Sequence, residues 1–251
     1  MTSFQPRQVL NHIIQQFLKK AQNIKPEDSK NISILYNHIK LIAKLEDRIA
    51  NQSLKKFRAQ AGQMSTRELS SEKGKPSKLR NNLNKVGIPV PDGCHAHHIV
   101  PWKEVLAYPA RLVLAMHKIR IDDEINGVAL PSSKVALDNN AVAKSHTMRA
   151  PHLNLGKEAY INGWINRKIN PNNTPTEESL KLQLRIIQFR FETCAHPKFI
   201  FKNSETFKNM DAQAVIDLDD KGIEAIEYDD DGNKTAQFLA ANPQFSANKK
   251  G

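Results

Sequence analysis

The segment CHAHHIVPW (94–102) puts three imidazoles, His95, His97 and His98, into one short run, and seven of the nine histidines fall between positions 95 and 196. Adjacent residues of a strand project to opposite faces, so His97 and His98 can divide two tasks between them. One imidazole can hold a divalent cation while its neighbour faces a substrate. That pairing suits metal-assisted hydrolysis of a phosphodiester: the ion stabilises charge on phosphate and leaving oxygen, and a neutral imidazole takes a proton from water. A histidine near its ordinary pKa of about 6.5 suits the base role at neutral pH. Downstream, IDDEINGVALP (121–131) carries an Asn126-Gly127 pair, which predicts a hairpin turn, and Asn126 can tie its own loop by side-chain hydrogen bonds. His146 and His152 follow, then GKEAYINGWINRKI, a helix expected from about Lys157 with Ile161, Trp164, Ile165 and Ile169 on its apolar face. A His-His strand, an Asn-Gly hairpin and later histidines beside a helix make a small ββα unit able to grip one divalent ion.

The elements that must position these residues are legible around them. Val9, Leu10, Ile13, Ile14, Phe17 and Leu18 predict an amphipathic helix over 7–22. KPEDSK (25–30) interrupts it, and a second helix is expected from about Ile32 to about Ala59, burying Leu35, Ile39, Ile42, Leu45 and Ile49. Together they would make an antiparallel helical hairpin. The polar run 65–77, with Gly74 and Pro76, reads as a linker, and a short helix 77–86 leads into the turn-rich GIPVPDG (87–93). NPNNTPT (170–176) breaks the chain before a helix over about 178–192. In the tail, VIDLDD and IEAIEY read as two strands joined at Lys221-Gly222. The fold class expected is α+β: a small ββα-metal core surrounded by helices, with an N-terminal helical hairpin and a short β-containing tail. Its divisions are 1–76 (helical region and linker), 77–193 (the chemical domain) and 194–251 (an acidic extension).

Charge narrows the partner. The chain has 37 Lys and Arg against 26 Asp and Glu, a net charge of +11 with a pI near 9.6. Residues 211–251 hold 4 Lys and 9 acids, a balance of −5, so residues 1–210 carry +16. A positive field of that size favours a polyanion, nucleic acid being the commonest. No apolar stretch reaches the roughly 18 residues a membrane span needs, so membrane insertion is not expected. The N-terminus lacks a basic region followed by an apolar run, so a classical signal peptide is not expected either. Two cysteines, Cys94 and Cys194, cannot build a disulfide framework.

LRNNLNKVGIPVPDGCHAHHIVP, then ARLVLAMHKIRIDDEINGVALP, then SHTMRAPHLNLGKEAY resembles the AHH branch of the HNH/endonuclease VII superfamily. The resemblance covers roughly residues 79–169, and AHHIVP (96–101) and NGVALP (126–131) are its most specific parts. It implies a metal-dependent endonuclease in which His97 coordinates the metal, His98 is the general base, Asn126 orients the metal loop or the base, and a later histidine completes the site. One divalent ion, Mg²⁺, Zn²⁺ or Mn²⁺, is the implied cofactor, and DNA cut with low sequence specificity is the implied substrate. Family members are often toxin domains of bacterial polymorphic or contact-delivered effectors. That implies a cognate immunity protein, a secretion-system or adaptor contact through the N-terminal helices, and export from a bacterial cytoplasm into a target cell's cytoplasm.

The chain departs from the family's usual late histidines, which lie three or four residues apart. His146 and His152 are six apart, and one helical turn cannot align such a pair. His152, nearer the helix, is the expected ligand, and His146 is either on a loop or not a ligand. His95 shares a face with His97 and is expected to support the site or face phosphate. His117 is expected to be a half-buried structural residue, and Trp102 and Trp164 core anchors. Lys55, Lys56, Arg58, Lys73, Lys75, Lys78 and Arg80 read as mostly a solvated face, one that flanks the chemical segment and is able to meet a DNA backbone. Two other functions fit the same residues: a zinc-stabilised nucleic-acid-binding or interaction domain that cuts nothing, and a ribonuclease of the same fold.

Overall fold

The computed structural model describes residues 29–132, 155–192 and 200. Arg48–Ala212 form one compact unit, which holds the described histidines of the candidate site; Met1–Asp47 with Gln213–Gly251 form another. The expected helix 7–22, the tail strands, Cys194, His146 and His152 all lie outside the described residues.

The architecture is α+β, as expected: helices around a small antiparallel sheet. Helix α1 (Ser29–Ser53) and α2 (Lys55–Gln63) divide the single helix anticipated to Ala59. The break falls at Leu54, whose ψ of 16° leaves the helical region while its side chain is buried. Leu45 and Ile49, expected in a core, are exposed, as is Leu41. An apolar stripe needs a facing partner, and the one anticipated for them lies outside the described residues.

The run 65–77 is no bare linker. Ser65 opens a short helix α3 (Thr66–Ser70) with a reciprocal capping box: Glu68 N–H donates to Ser65 Oγ at 3.2 Å, and Ser65 N–H donates to Glu68 Oε2 at 2.7 Å. Leu69 and Ser70 are buried, and α3 packs on α5 (Tyr108–Met116). Helix α4 (Pro76–Lys85) starts on a proline, whose missing N–H costs nothing in the first turn.

Strand β1 (Cys94–His98) pairs antiparallel with β2 (Gly127–Pro131) in the register Cys94↔Pro131, Ala96↔Ala129, His98↔Gly127. Helix α4 lies against both strands. Leu79 and Leu83 of α4 make one apolar cluster with Val90, Cys94 and Ala96. Burial also pushes the Cys94 thiol above its ordinary pKa.

Asn126-Gly127 does not turn a two-residue hairpin. Asn126 ends a short 3₁₀ turn, Glu124–Asn126, and Gly127 has extended angles at the start of β2. The glycine serves packing instead. A Cβ there would lie 2.7 Å from Leu79 Cδ1, so only glycine lets the strand approach α4.

Beyond β2, a π-wound helix Glu158–Ile165 runs into the single turn α6 (Asn166–Lys168). Ile161, Trp164, Ile165 and Ile169 are buried, as their spacing predicts. Helix α7 (Glu177–Glu192) is buried on every side from Leu182 to Phe191, including Gln183, Arg185, Gln188 and Arg190. Its polar residues reach the loop 121–126, which becomes the hub of the unit.

Candidate active site

Strand alternation separates the histidines as the sequence predicts. His95 is exposed and His97 half-buried on one face, while His98 is buried with Cys94 and Ala96 on the other. All three line one open cleft of about 860 Å³, with Pro76, Ser77, Arg80, Trp102, Lys103 and Glu104 around them.

The His97 ring lies against the π-wound helix and α7, its centroid 5.8 Å from Tyr160 and 6.3 Å from Phe191, and its Nε2 atom is buried. Tyr160 is itself fixed: its hydroxyl donates to the Ile99 carbonyl at 2.6 Å, and burial raises its pKa well above the ordinary phenol value. His97 thus faces the helix that follows His146 and His152 in sequence. His97 supplies one imidazole, a donor type that suits divalent transition metals. Among the described residues no group of three His, Cys, Asp or Glu could hold a metal ion. The other two expected ligands, His146 and His152, are outside the described residues.

His98 looks the other way. Its Nε2 lies 2.8 Å from Asp122 Oδ1, and both side chains are nearly sealed from solvent. The same carboxylate oxygen accepts the Lys75 N–H at 2.8 Å, and Asn82 Nδ2 donates to the Asp122 carbonyl at 2.8 Å. Gly74 passes directly over this pair: a Cβ on it would sit 2.4 Å from Trp102 Cδ1 and 3.0 Å from His98 Nε2. The segment 72–77 is therefore a strap across the base of the cleft. Its other anchor is Glu72, which accepts from Arg120 Nε at 3.0 Å and from the Ile121 N–H at 3.2 Å.

Asn126 is fully buried behind the cleft. Its Oδ1 accepts the Val100 N–H at 2.8 Å, and its Nδ2 donates to the carbonyls of Ile121 at 2.9 Å and Val100 at 3.3 Å. Those bonds tie the end of β1 to the 121–126 loop. The Asn126 amide is thus committed to backbone groups of Val100 and Ile121.

The same loop is held from two more sides. Arg58 forks onto Asp123, with Nε to Oδ2 at 2.9 Å and Nη2 to Oδ1 at 2.8 Å. Burial raises the Asp123 carboxyl pKa, and the Arg58 guanidinium pulls against it. Arg185 grips Glu124 bidentately at 2.9 and 2.7 Å, and Gln188 Nε2 donates to the carbonyls of Glu124 at 2.9 Å and Gly127 at 2.7 Å.

Several placements differ from the sequence expectation. Arg58 and Arg80 are not a solvated face: Arg58 holds the loop, and Arg80 donates to the carbonyls of Val90 and Cys94. Trp102 is a half-buried cleft wall with the Lys103 amine 5.0 Å from its ring centroid, whereas Trp164 is the core anchor anticipated. His117 is the structural residue anticipated, its ring bonded to the Thr174 carbonyl at 3.1 Å. Asp122 and the strap were missed. The available signal was the acidic run Asp122-Asp123-Glu124 in an otherwise basic stretch, where buried acids need assigned partners.

Residues 78–170, about a third of the chain, match AHH, described as a nuclease family of the HNH/ENDO VII superfamily with conserved AHH. The match takes in most of α4, both strands, the loop 121–126 and the π-wound helix. No curated protein and no solved structure matches the chain.

Proposed function

From this AHH-type nuclease segment, we propose that the protein is a metal-dependent endonuclease that hydrolyses DNA with low sequence specificity. The observation that carries the reading is the placement of His97 and His98 on opposite faces of β1 while both line one cleft. His98 is the general base toward water, and His97 with His152, and with His146 as the less favoured ligand, would hold the divalent ion. That ion, when bound, supplies charge stabilisation at the phosphate and leaving oxygen. The exposed Lys103 and His95 at the cleft offer contacts to backbone phosphate rather than base edges, which favours low specificity.

The biological setting follows the family's habit and is part of the same proposal: an antibacterial effector made in a bacterial cytoplasm, restrained by an immunity protein and delivered to a target cell. Among the described residues no helix is long and apolar enough to cross a membrane.

Supercoiled plasmid incubated with the protein and Mg²⁺, Mn²⁺ or Zn²⁺ should be nicked, and H98A should abolish nicking with an unchanged circular dichroism spectrum. Equal cleavage by H98A would remove the base assignment. Faster digestion of RNA than of plasmid at equal enzyme would make the protein a ribonuclease. Folding that depends on metal, with no cleavage of either polymer, would leave a zinc-stabilised binding domain.

A further inference from the structure

We propose that Asp122 is the positioning residue for the His98 base, holding the ring in the Nε2–H tautomer so that Nδ1 is the atom that accepts the proton from water. The inference rests on the nuclease reading above and assigns it an atom and a second residue.

Three observations carry it. A carboxylate only accepts hydrogen bonds, so the 2.8 Å contact between His98 Nε2 and Asp122 Oδ1 requires the proton on Nε2. In the neutral ring Nδ1 is then the nitrogen with a lone pair, on a side chain that lines the cleft. Second, Asp122 is itself pinned. It is 1% exposed, its Oδ1 accepts the Lys75 N–H at 2.8 Å, and its carbonyl accepts from Asn82 at 2.8 Å. A carboxylate so anchored cannot follow the ring, so the ring takes its orientation from the carboxylate. Third, Gly74 packs where a side chain would press on both Trp102 and His98 Nε2. The strap therefore closes the Nε2 side of the ring and leaves that edge no access to substrate. The carboxylate also lies where it stabilises the imidazolium formed once the proton has moved from water to Nδ1.

The test uses the full-length chain. In metal-free protein, long-range ¹H–¹⁵N spectra of the imidazoles, with His98 assigned by its loss in H98Q, should show the Nε2–H tautomer alone. D122A should shift that population toward Nδ1–H. On plasmid DNA with Mg²⁺, D122A should lower kcat by about 10- to 100-fold with KM for DNA near the wild-type value, as expected when an orienting partner is lost. D122N keeps an oxygen beneath the Lys75 N–H but loses the charge that stabilises the imidazolium, so if D122A fails to fold, D122N should still lower kcat with KM near the wild-type value, and an unchanged kcat would overturn the proposal. An Nδ1–H tautomer in wild type, or a loss confined to KM, would overturn the proposal. The two readings fail separately: a chain that never cuts nucleic acid sinks the nuclease reading, whereas a cutting chain with Nδ1–H His98 sinks only this one.

Discussion

At the scale of single residues, the site depends on a glycine whose position gives little sign of its role. Gly74 lies in a polar run that the sequence presents as a linker, yet a methyl group on it would overlap Trp102 at 2.4 and 2.8 Å and crowd His98 Nε2 at 3.0 Å. The Trp102 ring is half-buried in the cleft wall, so it can move only by opening that wall or lifting the strap. G74A should therefore cost about 1–3 kcal/mol in urea unfolding, the usual range for overpacking, and should slow nicking well beyond that stability loss. Unchanged nicking in folded G74A would mean that the strap does not set the geometry of His98. The histidine pair was readable because strand alternation is a local rule, and 97 and 98 obey it. Asp122 and Gly74 were not, because each acquires its role only when loops 24 residues of sequence away, or more, close onto β1.

Elements tell the same story through α7. Its leucines, isoleucines and phenylalanines announce a helix, and Glu177–Glu192 is one. Its polar residues Gln183, Arg185, Gln188 and Arg190 are buried as well. Arg185 and Gln188 meet the acids and carbonyls of the 121–126 loop, more than 60 residues away in sequence, and no helical periodicity can forecast such a partner. The loop presents three consecutive acids: Asp122 to His98, Asp123 to Arg58, and Glu124 to Arg185. Breaking a buried pair from one side leaves an uncompensated charge, typically at a cost of about 3–5 kcal/mol. Arg58 Nη2 also reaches Glu124, at 3.1 Å, and will offset part of that cost. R185M should therefore destabilise the protein by about 3 kcal/mol in chemical denaturation, with E124Q/R185M recovering part of the loss. If R185M proves neutral, the loop is held by Gln188 and Asn126 without the ion pair. The N-terminal side of the fold was legible more coarsely: helices were expected and are present over 29–63, but the break at Leu54 and the exposure of Leu45 and Ile49 depend on packing that periodicity does not encode.

For the whole molecule, the dominant physical fact is a net charge of +11 distributed as +16 over residues 1–210 and −5 over the rest. The cleft brings part of that charge to the histidines through Arg80 and Lys103, but the two are not equivalent. Arg80 is committed to the Val90 and Cys94 carbonyls, so its main work is to hold the 87–94 turn beside β1. Lys103 is exposed with its ammonium over the Trp102 ring, a posture from which it can swing to a phosphate at small cost. Each phosphate neutralised by a lysine or arginine adds about 0.9 to the slope of log affinity against log salt. A duplex held by three or four such contacts should thus lose affinity about 40- to 150-fold between 50 and 200 mM salt. Fluorescence anisotropy with a labelled duplex, in H98A without added divalent metal, reads this directly. Adding K103A should reduce the slope by about one unit at every sequence tested, because a phosphate contact carries no base information. The same substitution in the otherwise native chain should raise KM for DNA and leave kcat nearly unchanged, the mark of uniform binding lost rather than transition-state stabilisation. A K103A chain with an unaltered salt slope would place the nucleic acid on another face, and the shared cleft of the three histidines would no longer be the path of the substrate.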